Sequence, residues 1–369
     1  LNLDPSTPRH QPPHRIQLFR AQIDRVGELL TIGPVVHVVR YQAKELDQTL
    51  ASINSTGFGL TSGVHSRIQT TCEKVSNAVN AGNIYINRNI IGAVVGVQPF
   101  GGHGLSGTGP KAGGPAYVYR LTKQRVAAPC AQTDGNHTLD FDFSAGATGS
   151  PVDMPLPGDD AWRDVSVALR AERIKMFMGK LAQAHPELVS EALHIQVNCL
   201  IGEALSSQSA PLNLPGPTGE LNQLVLETRG TVLCVQQGSE GVANGIRQLV
   251  AALLCGNTVI CLSDQAFDLT ELMLESGIGE AYGRFFSHTE QAMEALLLEP
   301  ALKGVAVSAP QALIRWIDGA LAKRPGALLP LIVETAGPPL MPRFVLEKVI
   351  SNNTTASGGN ASLLAMGDG

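Results

Sequence analysis

The chain has 369 residues, 44% of them hydrophobic and 16% charged, with a formal net charge of −5. That is a globular composition, with apolar surface enough for a sizeable core spread over two or three domains. The acidic balance leaves no general nucleic-acid footprint, and no apolar run is long enough to span a bilayer. The cysteines at 72, 130, 199, 234, 255 and 261 form no CxxC pair and no metal-ligand spacing, which fits a reducing cytoplasm.

Residues 1–15 are Pro-rich and polar and read as a disordered start; His10 and His14 belong to it rather than to a metal site. Val35 to Val39 with Tyr41 reads as a strand. In KELDQTLASIN (44–54), Leu46, Leu50 and Ile53 recur at helical spacing, and the helix should stop before Ser55-Thr56-Gly57. GLTSGVHS (59–66) predicts a short strand, with His65 structural, and residues 67–80 predict a second helix ending at Ala81-Gly82. Cys72 falls in mid-helix beside Glu73 and Lys74, with nothing nearby to lower its pKa.

The next stretch, 82–120, is dense in glycine. Ile84 and Ile86, then Val94, Val95 and Val97, read as short buried strands. A flexible linker would pair glycine with serine and few large apolar residues. Here Gly92, Gly96, Gly101, Gly102, Gly104, Gly107 and Gly109 act instead as joints of a shaped loop. Such a loop can present backbone N–H groups in a concave array, which suits a carboxylate.

After Arg120 the composition shifts to Gly, Ala, Pro, Asp and Ser, and residues 126–160 read as a linker. DVSVALRAERIKMFMGKLAQAH predicts a helix with Met176, Phe177 and Leu181 on one face. LETRGTVLCVQQG reads as one buried strand, GVANGIRQLVAALLCGN as a helix with an apolar face (Ile246, Leu249, Val250, Leu253) closing at Gly256, and TVICL as the next strand. That is a βαβ unit of a parallel sheet, in which Cys234, Cys255 and Cys261 are buried thiols. Its loop is QQGSEGVAN, neither GxGxxG nor Walker, so scaffold outweighs nucleotide binding at 236–244. GVAVSAP (304–310) and LLPLIVETAGP (328–338) predict two further strands.

The strings GNIYINRN, GVQPFGG and GLSGTGPKAGGP followed by YVYRL carry a family resemblance. They resemble the C-terminal part of the aldehyde dehydrogenase catalytic domain. The form is that of the glutamate-semialdehyde (pyrroline-5-carboxylate) dehydrogenase module of bifunctional bacterial proline utilization A proteins. The closing VISNNTTASGGNASLLAMG is similar to the end of the extra C-terminal domain of the long members of that group.

The resemblance implies an α/β architecture. Residues 16–125 would be a partial aldehyde dehydrogenase catalytic domain with a β-flap around Ala116 to Leu121. Residues 161–369 would be a Rossmann-like accessory domain, non-catalytic, packed on the dehydrogenase module. The segment before PFGG would be the aldehyde anchor loop. The amides of Gly92 and Ala93 would hold the substrate's α-carboxylate, and Phe100 would pack on its aliphatic chain. NAD would be the cofactor; the FAD site of the proline dehydrogenase half is not in this chain.

The departures matter as much. The family's ribose-binding Glu and ring-lining Phe fall at Leu30 and Ile32, and leucine accepts no hydrogen bond; Glu28 is two positions off. Glu334 in VETAGP resembles the family's general-base motif but lies in the duplicate, as a relic. His103 stands where the family usually carries Glu, and a neutral surface position is expected for it. The G-Q-x-C string of the nucleophilic cysteine does not occur, so no catalytic residue is assigned and this chain alone is expected to be inactive. A rival reading is a non-enzymatic scaffold. It would pair through the flap with a second copy or a partner dehydrogenase.

Overall fold

The computed structural model describes residues 38–91, 93–107, 109–118, 159–238, 241–264, 269–284, 290–333 and 340–355. The expected disordered start, Leu30, Ile32, the 126–160 linker up to residue 158, Glu334 and the closing motif beyond residue 355 lie outside them. So do residues 35–37 of the first expected strand, and the part within reach, 38–42, contains no strand.

The N-terminal segment runs α1 (Leu46–Ser55), β1 (Phe58–Gly59), β2 (Thr61–Val64), α2 (Gln69–Ala78), β3 (Asn83–Ile86) and β4 (His103–Gly104). Helical spacing placed α1 correctly, but only Leu50 of its three apolar residues is buried; Ile53 is exposed. Leu50, Cys72, Val79, Ala81, Ile84 and Ile86 form a small core of their own.

The C-terminal segment runs α3 (Asp159–Arg163), α4 (Val167–Ala184), α5 (Glu191–Gln208), β5 (Leu212–Leu214), β6 (Glu220–Thr228), β7 (Thr231–Gln236), α6 (Gly241–Leu254) and β8 (Thr258–Ser263). It continues with α7 (Thr270–Glu275), β9 (Tyr282–Arg284), α8 (Glu290–Leu298), β10 (Leu302–Ser308), α9 (Gln311–Ala322), β11 (Leu331–Ile332) and β12 (Val345–Asn353). Ser166 and Ser190 start α4 and α5 by accepting from the Leu169 and Leu193 amides at 3.3 and 3.2 Å. Phe177 and Leu181 are buried, but Met176 is exposed, contrary to the expected shared face. Consecutive helical residues sit about 100° apart, and the buried stripe takes Ile174, Phe177, Met178 and Leu181.

Two sheets result. One is all parallel, in the order β11-β10-β7-β8-β9, the doubly wound arrangement expected of a βαβ unit. The middles of its strands are apolar on both faces because helices cover both faces. Along β7 and β8, Val232, Cys234, Val259 and Cys261 face one helical layer, while Leu233, Val235, Ile260 and Leu262 face α8 and α9. The other sheet is mixed, in the order β2-β3-β12-β6-β5, and it unites strands from both ends of the chain. β12 runs parallel to β3 over four residue pairs and antiparallel to β6 over nine, from Val345↔Thr228 to Asn353↔Glu220.

LETRGTVLCVQQG is therefore two strands, in two sheets. The break at Arg229-Gly230 is held by Asn257, which is fully buried. Its Oδ1 accepts from Thr228 Oγ1 (3.0 Å), Arg229 N (2.9 Å) and Gly230 N (3.2 Å), and its Nδ2 donates to the Ala252 and Phe344 carbonyls at 2.9 Å each. Periodicity cannot show such a corner, because the apolar residues continue across it. Asn257→Ala orphans several buried groups at once, and an unpaired buried donor or acceptor costs about 1–3 kcal/mol. Urea unfolding of this variant should show a loss of about 3 kcal/mol or more, with the m-value unchanged.

Candidate functional site: a clamped glycine loop

The glycine-rich segment leaves β3 through Asn87, a non-glycine residue at φ 55°. Its side chain stabilises that conformation: Oδ1 accepts from the Ser66 amide and Nδ2 donates to the Ser66 carbonyl, both at 3.0 Å. Residues 94–98 then form a tight turn. The Val97 and Gln98 amides donate to the Val94 carbonyl at 3.1 and 2.7 Å. Gly96, at φ 75°, donates to the Gly113 carbonyl at 3.1 Å. The expected buried strand at Val94, Val95 and Val97 is not formed: Val94 is 53% and Val95 82% exposed. Among the described residues no strand pairs with this turn, and its left-handed glycine breaks the extended run.

Of the residues singled out from sequence, Gly92 lies outside the described residues. Ala93 is exposed at the loop's crown, and the amides of Ala93, Val94 and Val95 donate to no protein acceptor among the described residues. Phe100 is half-buried at the loop's base, in a two-bond bridge with Ala112: Phe100 N to Ala112 O at 3.0 Å, Ala112 N to Phe100 O at 2.8 Å. Within the expected flap, residues 116 and 117 form turns and residues 119–121 lie outside the described residues.

What sequence reading missed is the clamp. Glu220, at the start of β6, accepts from Arg88 Nη1 with one oxygen and from Gln98 Nε2 (2.5 Å) and Asn222 Nδ2 (2.9 Å) with the other. Arg88 also lies over the Tyr85 ring at 5.4 Å. Arg88 and Gln98 flank the loop on its two sides, so one carboxylate, more than a hundred residues away, gathers both of its stems. A lone Glu opening a strand carries no sequence signal for that role.

A second group fixes the region behind the loop. Lys111, 2% exposed, donates from Nζ to the Gly101 carbonyl (2.5 Å) and Asn83 Oδ1 (3.1 Å), while its backbone amide donates to Glu347 Oε2 (2.8 Å). Burial pulls its pKa down to about 8, against the attraction of the Glu347 and Glu227 carboxylates. Glu347 is pushed up, also by burial. Lys348, 3% exposed, pairs with Glu227 at 2.6 Å.

His103 corrects the surface expectation: it is 3% exposed. The short β1–β4 ladder turns its ring inward onto β12. There Nε2 meets the Glu347 carbonyl at 3.0 Å and Nδ1 meets the Asn80 side-chain amide at 3.2 Å. The Glu347 carbonyl can only accept, so Nε2 carries the proton of the neutral ring, and Nδ1 faces Asn80 Oδ1, a second acceptor. Burial pushes the ring's pKa from 6.5 down to about 4, so it is neutral at pH 7.

The loop after β7 was weighed as a nucleotide site. Three of its described amides are engaged: Gln237 with the Ser308 carbonyl (3.0 Å), Gly238 with Asp264 Oδ2 (2.9 Å) and Gly241 with the Gly238 carbonyl (3.0 Å). A phosphate cradle needs such donors free.

The glycine loop is held to the mixed sheet through Glu220 of β6, and sequence matches bear on what it belongs to. Residues 28–127 match the aldehyde dehydrogenase family. Taken across 94% of its length, the chain is similar to the bifunctional protein PutA of Escherichia coli K12, at 34% identity, and to that of Rhizobium meliloti, at 35%. It spans about a quarter of those relatives, 24% and 25% respectively. Over 94 residues it is 48% identical to the 1-pyrroline-5-carboxylate dehydrogenase of Geobacillus sp. WCH70, covering 26% of this chain and 18% of that one. The solved structure of proline utilization A from Corynebacterium freiburgense shares the fold, with a TM-score of 0.50 at 21% identity over 87% of this chain and 25% of that one. No helix among the described residues is long and apolar enough to cross a membrane.

His103 offers a direct check on the seam. Its folded-state pKa is depressed, so between about 4 and 6.5 the unfolded chain takes up the proton first. Its share of stability is therefore complete above pH 6.5 and is lost as pH falls to about 4, on the order of 3 kcal/mol in all. The raised Glu347 works in the opposite sense, so parent and variant must be compared. Urea midpoints of His103→Gln measured from pH 7 to 4 should fall less steeply than those of the parent; parallel curves would refute this.

Proposed function

We propose that the chain supplies the substrate-anchoring portion of an enzyme that oxidises L-glutamate γ-semialdehyde to glutamate in proline catabolism. The observation that carries the reading is the run of amides at Ala93 to Val95 with no acceptor among the described residues, on a loop whose two stems are gathered by Glu220. Open N–H groups on a constrained turn bind a carboxylate without first having to break internal hydrogen bonds. In this reading Gly92 and Ala93 hold the α-carboxylate and Phe100 packs on the aliphatic chain. The 48% identity to a 1-pyrroline-5-carboxylate dehydrogenase in this part of the sequence supports that substrate class.

The chemistry itself needs a thiolate, a hydride acceptor and a base. The sequence has no G-Q-x-C string, and Cys72 is buried with its thiol pKa raised by desolvation, so it is no substitute. NAD is the hydride acceptor that the family implies. The loop after β7 fits it poorly, the amides of Gln237, Gly238 and Gly241 being engaged, and the Leu30 side chain offers no acceptor for a ribose hydroxyl. The chain's own residues thus bind and orient a substrate, and other polypeptide would supply the thiolate and the cofactor site.

Amide spectra of the chain titrated with L-glutamate should shift at Ala93, Val94 and Val95, with a dissociation constant in the millimolar range, equivalent to about 4 kcal/mol. Phe100→Ala should weaken this severalfold. Unmoved loop amides would sink the anchor. Independently, the chain with NAD and the semialdehyde should produce no NADH, and turnover would sink the assignment of the thiolate to other polypeptide.

A further inference from the structure

Far from the glycine loop, a mostly polar cavity of about 200 Å³ opens beside the corner where β6 ends. Its wall comprises Arg163, Arg170, Gln208, Glu227, Thr228 and Cys255, with Leu226 as the apolar part. Arg170 is the anomaly. It is 7% exposed, its Nε is buried without a hydrogen-bond partner, and no carboxylate pairs with it among the described residues. A buried guanidinium left unpaired is costly, and proteins normally pair such a group or hydrate it.

The surroundings do not fill that need. Glu227 is engaged by Lys348 at 2.6 Å. Cys255 stays a neutral thiol, its pKa pushed up to about 12 by burial; it accepts from Gln208 Nε2 at 3.5 Å and donates to the Met341 carbonyl at 3.8 Å. Thr228 Oγ1 donates to Asn257 at 3.0 Å. The site is nonetheless shaped around the guanidinium. Gly256, at φ 78°, lies so close that a Cβ there would stand 1.9 Å from Arg170 Nη1. Any side chain at 256 would evict the arginine from the cavity. Arg163, exposed at the rim, adds a second positive charge.

We infer that this cavity is a binding site for a small oxyanion, a phosphate or carboxylate group, with Arg170 as its main ligand and Gln208 and Arg163 beside it. The volume is below the range of about 300–1,000 Å³ of pockets that take drug-sized ligands, so the occupant is small. The C-terminal ends of α5 and α6 border the cavity, and their dipoles oppose an anion by about 0.3–1 kcal/mol. A charge-assisted bond to the guanidinium, typically about 1.5–3 kcal/mol, outweighs that. A planar fork also prefers a planar or tetrahedral oxyanion to a halide, because two parallel N–H bonds can form.

The test uses the full chain at constant ionic strength, with chloride replaced by inorganic phosphate in one arm and by acetate in the other. We expect a saturable rise in melting temperature and a shift of the Arg170 Nε–H resonance in at least one arm; which arm responds identifies the anion class. Arg170→Gln should abolish the saturable response, and Arg170→Lys should weaken it about tenfold. Should the arginine variants fail to fold, Gln208→Leu should still weaken binding severalfold in a folded protein. No saturable response to either anion, or an undiminished response in the folded variants, overturns the inference.

Discussion

Strand β12 is the tie on which this structure depends. It enters between β3 and β6 and so joins Ile84 to Ile350, residues that are far apart in sequence. A strand in the middle of a sheet satisfies its backbone groups on both sides, and removing it would expose two ladders at once. Because side chains alternate along it, β12 also sends charged groups to opposite faces. Glu347 reaches the Lys111 amide, while Lys348 reaches Glu227 and the Ser76 carbonyl. A slip of one residue would exchange those faces and bury each charge against the wrong partner.

The seam made in this way is polar as well as apolar. His103, Lys111, Asn83 and Lys348 are all nearly fully buried there, and each has a named partner. Buried polar groups of this kind add little net stability when satisfied and cost much when one member is removed. Their main effect is to make one arrangement of the two segments much better than its neighbours. The clamp at Glu220 extends the same logic to the glycine loop. The crown can stay open and exposed because its stems are fixed from outside the glycine segment.

That division suits a binding loop. Donors aimed at a ligand cannot also be used within the protein, so such a loop is poorly held by its own backbone. The loop after β7 shows the alternative: its amides are turned inward on Ser308 and Asp264, and it serves as a structural corner. Two loops of similar glycine content thus differ in what they can do, according to where their N–H groups point.

Local patterns in the sequence determined much. The spacing of Leu46 and Leu50, the apolar face from Ile246 to Leu253, the stop at Gly256 and the TVICL strand each rest on interactions within a few residues or on burial on both faces. The glycine motifs carry a resemblance to the aldehyde dehydrogenase family, whose model matches residues 28–127. Tertiary structure alone decided the rest. The corner at Arg229-Gly230 depends on Asn257, which lies on the far side of α6 in the chain. Val94 and Val95 are exposed, with no strand among the described residues paired to them, and His103 is buried against β12. The pairing of Glu220 with Arg88 and Gln98 belongs to the same class. A charged residue shows no sequence period that names its partner; only the register of strands brought together from distant parts of the chain can choose it.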